Sequence, residues 1–220
     1  MGKLVVFEGI DGSGKSTQYR LLCDRLKADG TAFQNIVFPQ YTEESSALIR
    51  MYLGGEFGSK PGDVNAYAAS TFFAVDRYAS YKTRWGIYYN NDGLLLSDRY
   101  TTSNAVHQGC KVPRDEREAF FKWLRDFEYG IMELPRPDLV VYMDISAARA
   151  IERLRHREDS TGTHADIHEQ DADYLAACAE CSHAAAEFFG WHRIACFDGE
   201  RPRSMEEISD EIYALVKGVI

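Results

Sequence analysis

Residues Phe7-Glu8-Gly9-Ile10-Asp11-Gly12-Ser13-Gly14-Lys15-Ser16-Thr17 decide how the rest of the chain is read. From Gly9 onward they satisfy G-x-x-x-x-G-K-[S/T] in full. They lie between a β-branched run, Leu4 to Phe7, and a segment of helical period, Ser16 to Ala28. Glycines in such a turn let consecutive backbone N–H groups point at phosphate oxygens, at the positive end of the helix that follows. Gly9, Ile10, Asp11, Gly12, Ser13, Gly14, Lys15, Ser16 and Thr17 are therefore expected to hold a nucleoside triphosphate. Lys15 would reach the β and γ phosphates, and the Ser16 hydroxyl would be a ligand of Mg2+. The guanine-reading pattern N-K-x-D is absent, which speaks against a GTPase.

Outward from this loop, short apolar runs recur at Ile36 to Phe38, Leu94 to Leu96, Leu139 to Met143 and Ile194 to Phe197. Segments of helical period separate them: Asn65 to Tyr89, Arg114 to Glu133, Ala147 to Arg157, Ala172 to Phe189 and Met205 to Val216. Near-continuous apolar strands alternating with helices predict an α/β protein of the P-loop NTPase type. Its five-stranded parallel sheet would be flanked by helices, in one domain over residues 1–220. Gly54 to Gly62, with four glycines and a proline, and the polar stretch Glu158 to His164 read as loops.

The 220 residues carry 25 Lys and Arg against 34 Asp and Glu, a formal charge of −9. Sequence-independent nucleic-acid binding needs a basic face, so no nucleic-acid partner is expected. No stretch approaches the roughly 18–20 apolar residues that span a bilayer. The run Leu4 to Phe7 is too short for a secretion signal, and Val6 breaks the myristoylation pattern. Cys23, Cys110, Cys178, Cys181 and Cys196 are odd in number and scattered, which does not suit a disulfide framework. A cytoplasmic protein with no membrane partner is expected. Cys178-Ala179-Glu180-Cys181 has redox or zinc spacing but no second pair, and reads as two buried or half-buried thiols on a helix.

A phosphate loop does not say what receives the phosphate, so a second site is needed. Phe38-Pro39-Gln40-Tyr41 closes the second strand. Phe73 and Arg77 stand four apart on one helical face, a ring beside a guanidinium that suits a flat base. Asp98 closes the strand Leu94 to Leu96 where a P-loop protein holds magnesium, and Arg99 beside it can bridge anionic donor and acceptor. Ser103, Asn104 and Gln108 add hydrogen-bonding groups at the next helix, and Asp144 rivals Asp98 for the strand-end carboxylate.

These segments together resemble the thymidylate kinase family, in which ATP phosphorylates dTMP with Mg2+. The resemblance is carried by Phe7 to Thr17, Phe38-Pro39, Phe73-x-x-x-Arg77 and Asp98-Arg99-Tyr100 followed by Ser103-Asn104, over roughly residues 3–190. It implies ATP and dTMP as ligands and a homodimer. It also implies a dTMP site in which Asp11 meets the sugar 3′-hydroxyl, Tyr41 closes the monophosphate pocket and Phe73 stacks on thymine. Arg77 would donate to O4, Arg99 would bridge the transferring phosphate, and Asn104 would contact the base edge. His107 stands where the family commonly has a tyrosine near C2′, and Gln40 where an arginine is frequent. The phosphate loop holds no basic residue of its own beside Gly12 and Ser13, which resembles members whose cation comes from a lid. Here that lid is expected over about 149–169. Arg149, Arg153 and Arg157 share one helical face leading into it, with Arg153 the first candidate for a catalytic role beside Asp11, Lys15 and Arg99. Asp166-Ile167-His168-Glu169 resembles the acidic segment after the lid. Two alternatives compete. A deoxynucleoside kinase would want a carboxylate base after the second strand, where Glu43 and Glu44 come nearest. A nucleotide-dependent switch would bind no monophosphate.

Overall fold

A computed structural model describes residues 1–161 and 172–220. Its centre is the strand β1 (Lys3–Glu8), whose Leu4, Val5, Val6 and Phe7 are wholly buried. The run is apolar without alternation because helices cover both faces of a parallel sheet. Around β1 lie β2 (Gln34–Val37), β3 (Leu94–Asp98), β4 (Leu139–Asp144) and β5 (His192–Ala195), in the order β2-β3-β1-β4-β5, every pair parallel. Among the described residues the parallel sheet has five strands, the number expected. The last ends earlier than its apolar pattern suggested: Cys196 N–H bonds to Asp144 O, and Phe197 passes into a small hairpin with Arg201–Pro202.

Register matters for function. Phe7 and Val37 both lie opposite Asp98, so the carboxyl ends of β1, β2 and β3 finish together. In open parallel sheets that edge is where ligands bind.

Helices α1 (Lys15–Ala28), α2 (Ala47–Leu53), α3 (Ala66–Ser80), α4 (Gly86–Asn90), α5 (Thr101–His107) and α6 (Arg117–Arg125) precede β4. α7 (Ala147–Thr161), α8 (Ala172–Phe189) and α9 (Met205–Lys217) follow it. The periods read as single helices over 65–89 and 114–133 are broken by π-helical turns at Tyr81–Trp85 and Asp126–Ile131. α3 is started by Asn65, whose side chain accepts from Ala68 N–H at 2.9 Å. α9 is started by a reciprocal Ser204–Glu207 capping box, and buries Ile208, Ile212 and Val216 at four-residue spacing. α7 runs through the first part of the stretch read as a loop. The remainder of that loop and of the expected lid, residues 162–169 with Asp166-Ile167-His168-Glu169, lies outside the described residues, as does the side chain of Arg157. Among the described residues no helix is long and apolar enough to cross a membrane.

Candidate active site

The loop from Gly9 to Gly14 turns directly from β1 into α1. Gly12 and Gly14 have φ of 81° and 87°, a left-handed conformation that favours glycine. A Cβ on Gly12 would also stand 2.3 Å from Ala150 O, so only glycine lets α7 approach this closely. Gly14 caps α1 with no side-chain hydrogen bond, which leaves the first-turn N–H groups directed at whatever anion the loop receives. Lys15 is buried and pairs with Asp98 at the end of β3. Burial and then the neighbouring Arg99 cation lower its pKa below the ordinary lysine value, against the pull of Asp98. Arg153, on α7, donates to Ser13 O at 3.3 Å, so one expected lid arginine already stands at the phosphate loop. Arg149 instead turns to Glu200 at 3.0 Å.

Beside the loop is a cavity of about 300 Å³. It is lined by Asp11, Tyr41, Phe73, Arg77, Arg99, Ser103, Asn104, His107 and Gln108, all expected from the sequence, together with Phe38, Pro39, Leu53 and Tyr100. Arg99 joins it to the phosphate loop. Its fork donates to Asp11 Oδ1 at 2.5 Å, Ser103 Oγ at 3.3 Å, Glu8 Oε1 at 3.4 Å and His107 Nε2 at 3.0 Å. Because arginine has only N–H groups to offer, His107 Nε2 is the acceptor of that contact. Burial disfavours the Arg99 charge, but Asp11, Glu8 and Asp98 outweigh it and hold its pKa above the usual arginine value. Arg99 sits at φ 65°, pinned by its N–H to Phe7 O at 3.0 Å and by Ser97 Oγ to its carbonyl at 2.5 Å.

Three carboxylates that build the site were not singled out in the sequence. Glu8, fully buried at the end of β1, accepts from Gly9 N–H, Thr102 Oγ1 and Ser103 Oγ at 2.9, 2.6 and 2.7 Å. Asp76 accepts from Gln40 N–H, Ser45 Oγ and Ser46 Oγ at 2.8, 2.6 and 2.8 Å, which fixes the segment after β2 against α3. Glu128, in the second π-helical turn, takes Arg77 Nε and Nη2 at 2.7 and 2.6 Å and Asn104 Nδ2 at 2.9 Å. A carboxylate ending an apolar strand was the available signal for Glu8, and Asp76 stood next to Arg77. Glu128 had no local signal.

Glu128 also settles which groups face the cavity. Both Asn104 amide hydrogens go to protein acceptors, Glu128 and Ser70 O, so what Asn104 offers a ligand is its carbonyl oxygen. Arg77 gives three N–H groups to Glu128 and to Tyr100 O, and its remaining hydrogens are donors. Gln108 is buried, with no protein partner for its Oε1 among the described residues. The lining therefore presents a donor together with acceptors, beside the half-buried ring of Phe73, which packs edge-on to Tyr52.

Asp144, the rival strand-end carboxylate, is engaged elsewhere: its oxygens take His183 Nε2 at 2.8 Å and Arg193 Nη2 at 2.6 Å. Glu43 pairs with Arg84 at 2.5 Å, and neither Glu43 nor Glu44 lines the cavity. Among the described residues no group of three or more His, Cys, Asp or Glu could cage a metal. Cys178 and Cys181 are both buried on α8, as read.

Residues 7–212 match the family model described as thymidylate kinase. The thymidylate kinase of Mycobacterium tuberculosis is 33% identical over 172 residues, covering 77% of this chain and 79% of its own. That of Roseiflexus is 29% identical over 223 residues, covering 99% and 94%. In fold, the chain is similar to the solved thymidylate kinase of Candida albicans, with a TM-score of 0.71 at 18% identity, over 99% of this chain and 92% of that one.

Proposed function

The chain belongs to the thymidylate kinase family, and from that premise we propose that it moves the γ-phosphoryl group of ATP onto dTMP, giving ADP and dTDP. The observation that carries the reading is the cavity edge: an Arg77 donor together with the Asn104 carbonyl complements O4 and N3–H of thymine. Gln108 Oε1 adds a second acceptor for the base or sugar. Phe73 stacks on the ring, Asp11 takes the 3′-hydroxyl, and Tyr41 closes over the monophosphate. His107 lies at the sugar. Arg99 bridges the two phosphates, a role supported by its bonds to Asp11 on one side and to Ser103 and His107 on the other.

Phosphoryl transfer needs little covalent help, so positioning and charge stabilisation supply most of the catalysis. Lys15 and the N–H groups of Gly9 to Thr17 hold the donor phosphates. Arg153, already at Ser13 O, neutralises charge that spreads over the transferring group. Asp98 and Ser16 offer hard oxygen donors but no cage. That suits a Mg2+ ion brought with the nucleotide and touched by one or two protein oxygens. When bound, the ion neutralises the β and γ phosphate oxygens. The deoxynucleoside kinase alternative lacks its base, since neither Glu43, held by Arg84, nor Glu44 lines the cavity. A homodimer would cover Val75 and Tyr78, exposed on α3.

ADP release with ATP and Mg2+ tests the acceptor class. Turnover is expected with dTMP and not with thymidine; the reverse preference, or equal release without any acceptor, would refute the assignment. Phe73→Ala is expected to weaken dTMP binding about 5- to 150-fold, the worth of base–aromatic stacking (~1–3 kcal/mol). ATP affinity should be unchanged in the same calorimetric titrations. Arg153→Ala should lower kcat by about a hundredfold while ATP binding changes little, as for a contact made in the transition state. An unchanged kcat would remove Arg153 from the mechanism.

A further inference from the structure

Cys110, in the turn after α5, and Cys178, in the middle of α8, place their sulfurs 3.5 Å apart, with the Cys178 thiol donating to Cys110. The two residues come from distant parts of the chain and face different surroundings. Cys178 is fully buried. Cys110 is half-buried and lines an open groove of about 610 Å³ on the outer surface, next to Lys111 and Tyr174. The hydrogen bond from Cys178 is the chief cause lowering the Cys110 pKa below the ordinary thiol value, with Lys111 adding to it against burial. Burial pushes Cys178 the other way. One sulfur is thus half-buried with its pKa held below the ordinary thiol value, while its neighbour is fully buried with its pKa raised. That division of labour is the one a peroxide-reactive thiol and its resolving partner require.

The pair also touches the acceptor cavity. Cys178 Sγ lies 3.7 Å from His107 Nδ1, on the far side of the ring whose Nε2 meets Arg99. Cys110 Sγ lies 3.4 Å from the His107 carbonyl, which also accepts from Tyr174 at 2.7 Å. A bond between the sulfurs requires them to close to about 2.05 Å, and that movement is made against the backbone and ring of a residue lining the dTMP cavity.

We propose that Cys110 and Cys178 form a thiol-oxidation site, closed to a reversible disulfide by a peroxide, and that closure weakens acceptor binding through His107. In the first step the Cys110 thiolate attacks one peroxide oxygen. An S–O bond forms, the O–O bond breaks, and hydroxide leaves and is protonated to water, so that Cys110 is oxidised to a sulfenic acid and the peroxide reduced. In the second, Cys178 sulfur attacks Cys110 sulfur. The S–S bond forms, the S–O bond breaks, and the hydroxyl departs with the Cys178 proton as a second water. A small dithiol reverses the change by exchange.

The test is to treat the reduced full-length protein with hydrogen peroxide and map its peptides before and after dithiothreitol. A Cys110–Cys178 linked peptide, lighter by two hydrogens and lost on reduction, is expected. Cys178→Ser should instead leave Cys110 as a sulfenic acid that a dimedone probe captures. Cys110→Ser, at the half-exposed and more tolerant position, should keep its dTMP turnover after peroxide. In the unmodified sequence the oxidised form should show a KM for dTMP raised by about tenfold, within the usual span of coupling between sites, with the KM for ATP unmoved. Both thiols remaining free after peroxide, or a linkage that pairs Cys110 with another cysteine, would overturn the site. A Cys110–Cys178 disulfide that leaves the dTMP KM unchanged would overturn the coupling. Because the linkage is read by mass, it stands or falls independently of the assigned activity.

Discussion

Arg99→Ala is expected to lower kcat for dTMP phosphorylation by about a thousandfold, the scale of losing a guanidinium that stabilises transferring phosphate. The side chain contacts Asp11, Ser103, Glu8 and His107 at once, so it spans the space between the phosphate loop and the cavity. Its left-handed backbone, at φ 65°, costs about 1–3 kcal/mol, and strain of this kind persists where the surrounding structure over-determines it. Two bonds do so here, from Arg99 N–H to Phe7 O and from Ser97 to the Arg99 carbonyl. Arg99→Lys keeps the charge without the fork and should recover only part of the rate. Rapid-quench single-turnover kinetics separate this chemical step from binding. A loss under tenfold for Arg99→Ala, with the fold intact by circular dichroism, would contradict the bridging role.

Glu128→Ala is expected to destabilise the protein by about 3–5 kcal/mol, because it strands a buried arginine. Arg77 and Glu128 side chains are 2% and 0% exposed, so the pair is shielded from bulk water. Guanidinium unfolding measures the loss directly, and a change below about 1 kcal/mol would place the pair in the range of exposed ion pairs instead. Glu128→Gln keeps the shape but not the charge. It should hold more stability while loosening the orientation of Arg77 and Asn104, raising the KM for dTMP more than it lowers kcat. Equal effects on both constants would mean that Glu128 supports the fold and not base reading.

The phosphate loop was legible because its chemistry is contiguous: nine residues, running from the end of one strand into the first turn of one helix, carry it. The cavity lining was legible to the extent that pairs sit close in sequence, as Phe73 does with Arg77 and Arg99 with Ser103. What holds those residues in place was not, because the partners are far apart. Arg77 meets Glu128 across 51 positions, Arg99 meets Glu8 across 91, and Gln40 meets Asp76 across 36. No spacing rule encodes such contacts. Nor does a 3.6-residue period register π-helical turns, one of which delivers Glu128. α2, only seven residues long, falls below the window in which periodicity is read.

The most direct test of base recognition compares kcat/KM for dTMP, dUMP and dCMP under the same ATP and Mg2+ concentrations. dUMP lacks only the methyl group and should fall behind dTMP by about 10- to 200-fold, the worth of one carbon in an apolar pocket. dCMP presents an amine and a ring acceptor where Arg77 and Asn104 present a donor and an acceptor. It should be rejected by about 10⁴-fold or more, as expected where buried polar groups are left mismatched. Turnover of dCMP comparable to that of dTMP would contradict the assignment of the Arg77 and Asn104 edge as the reader of the base.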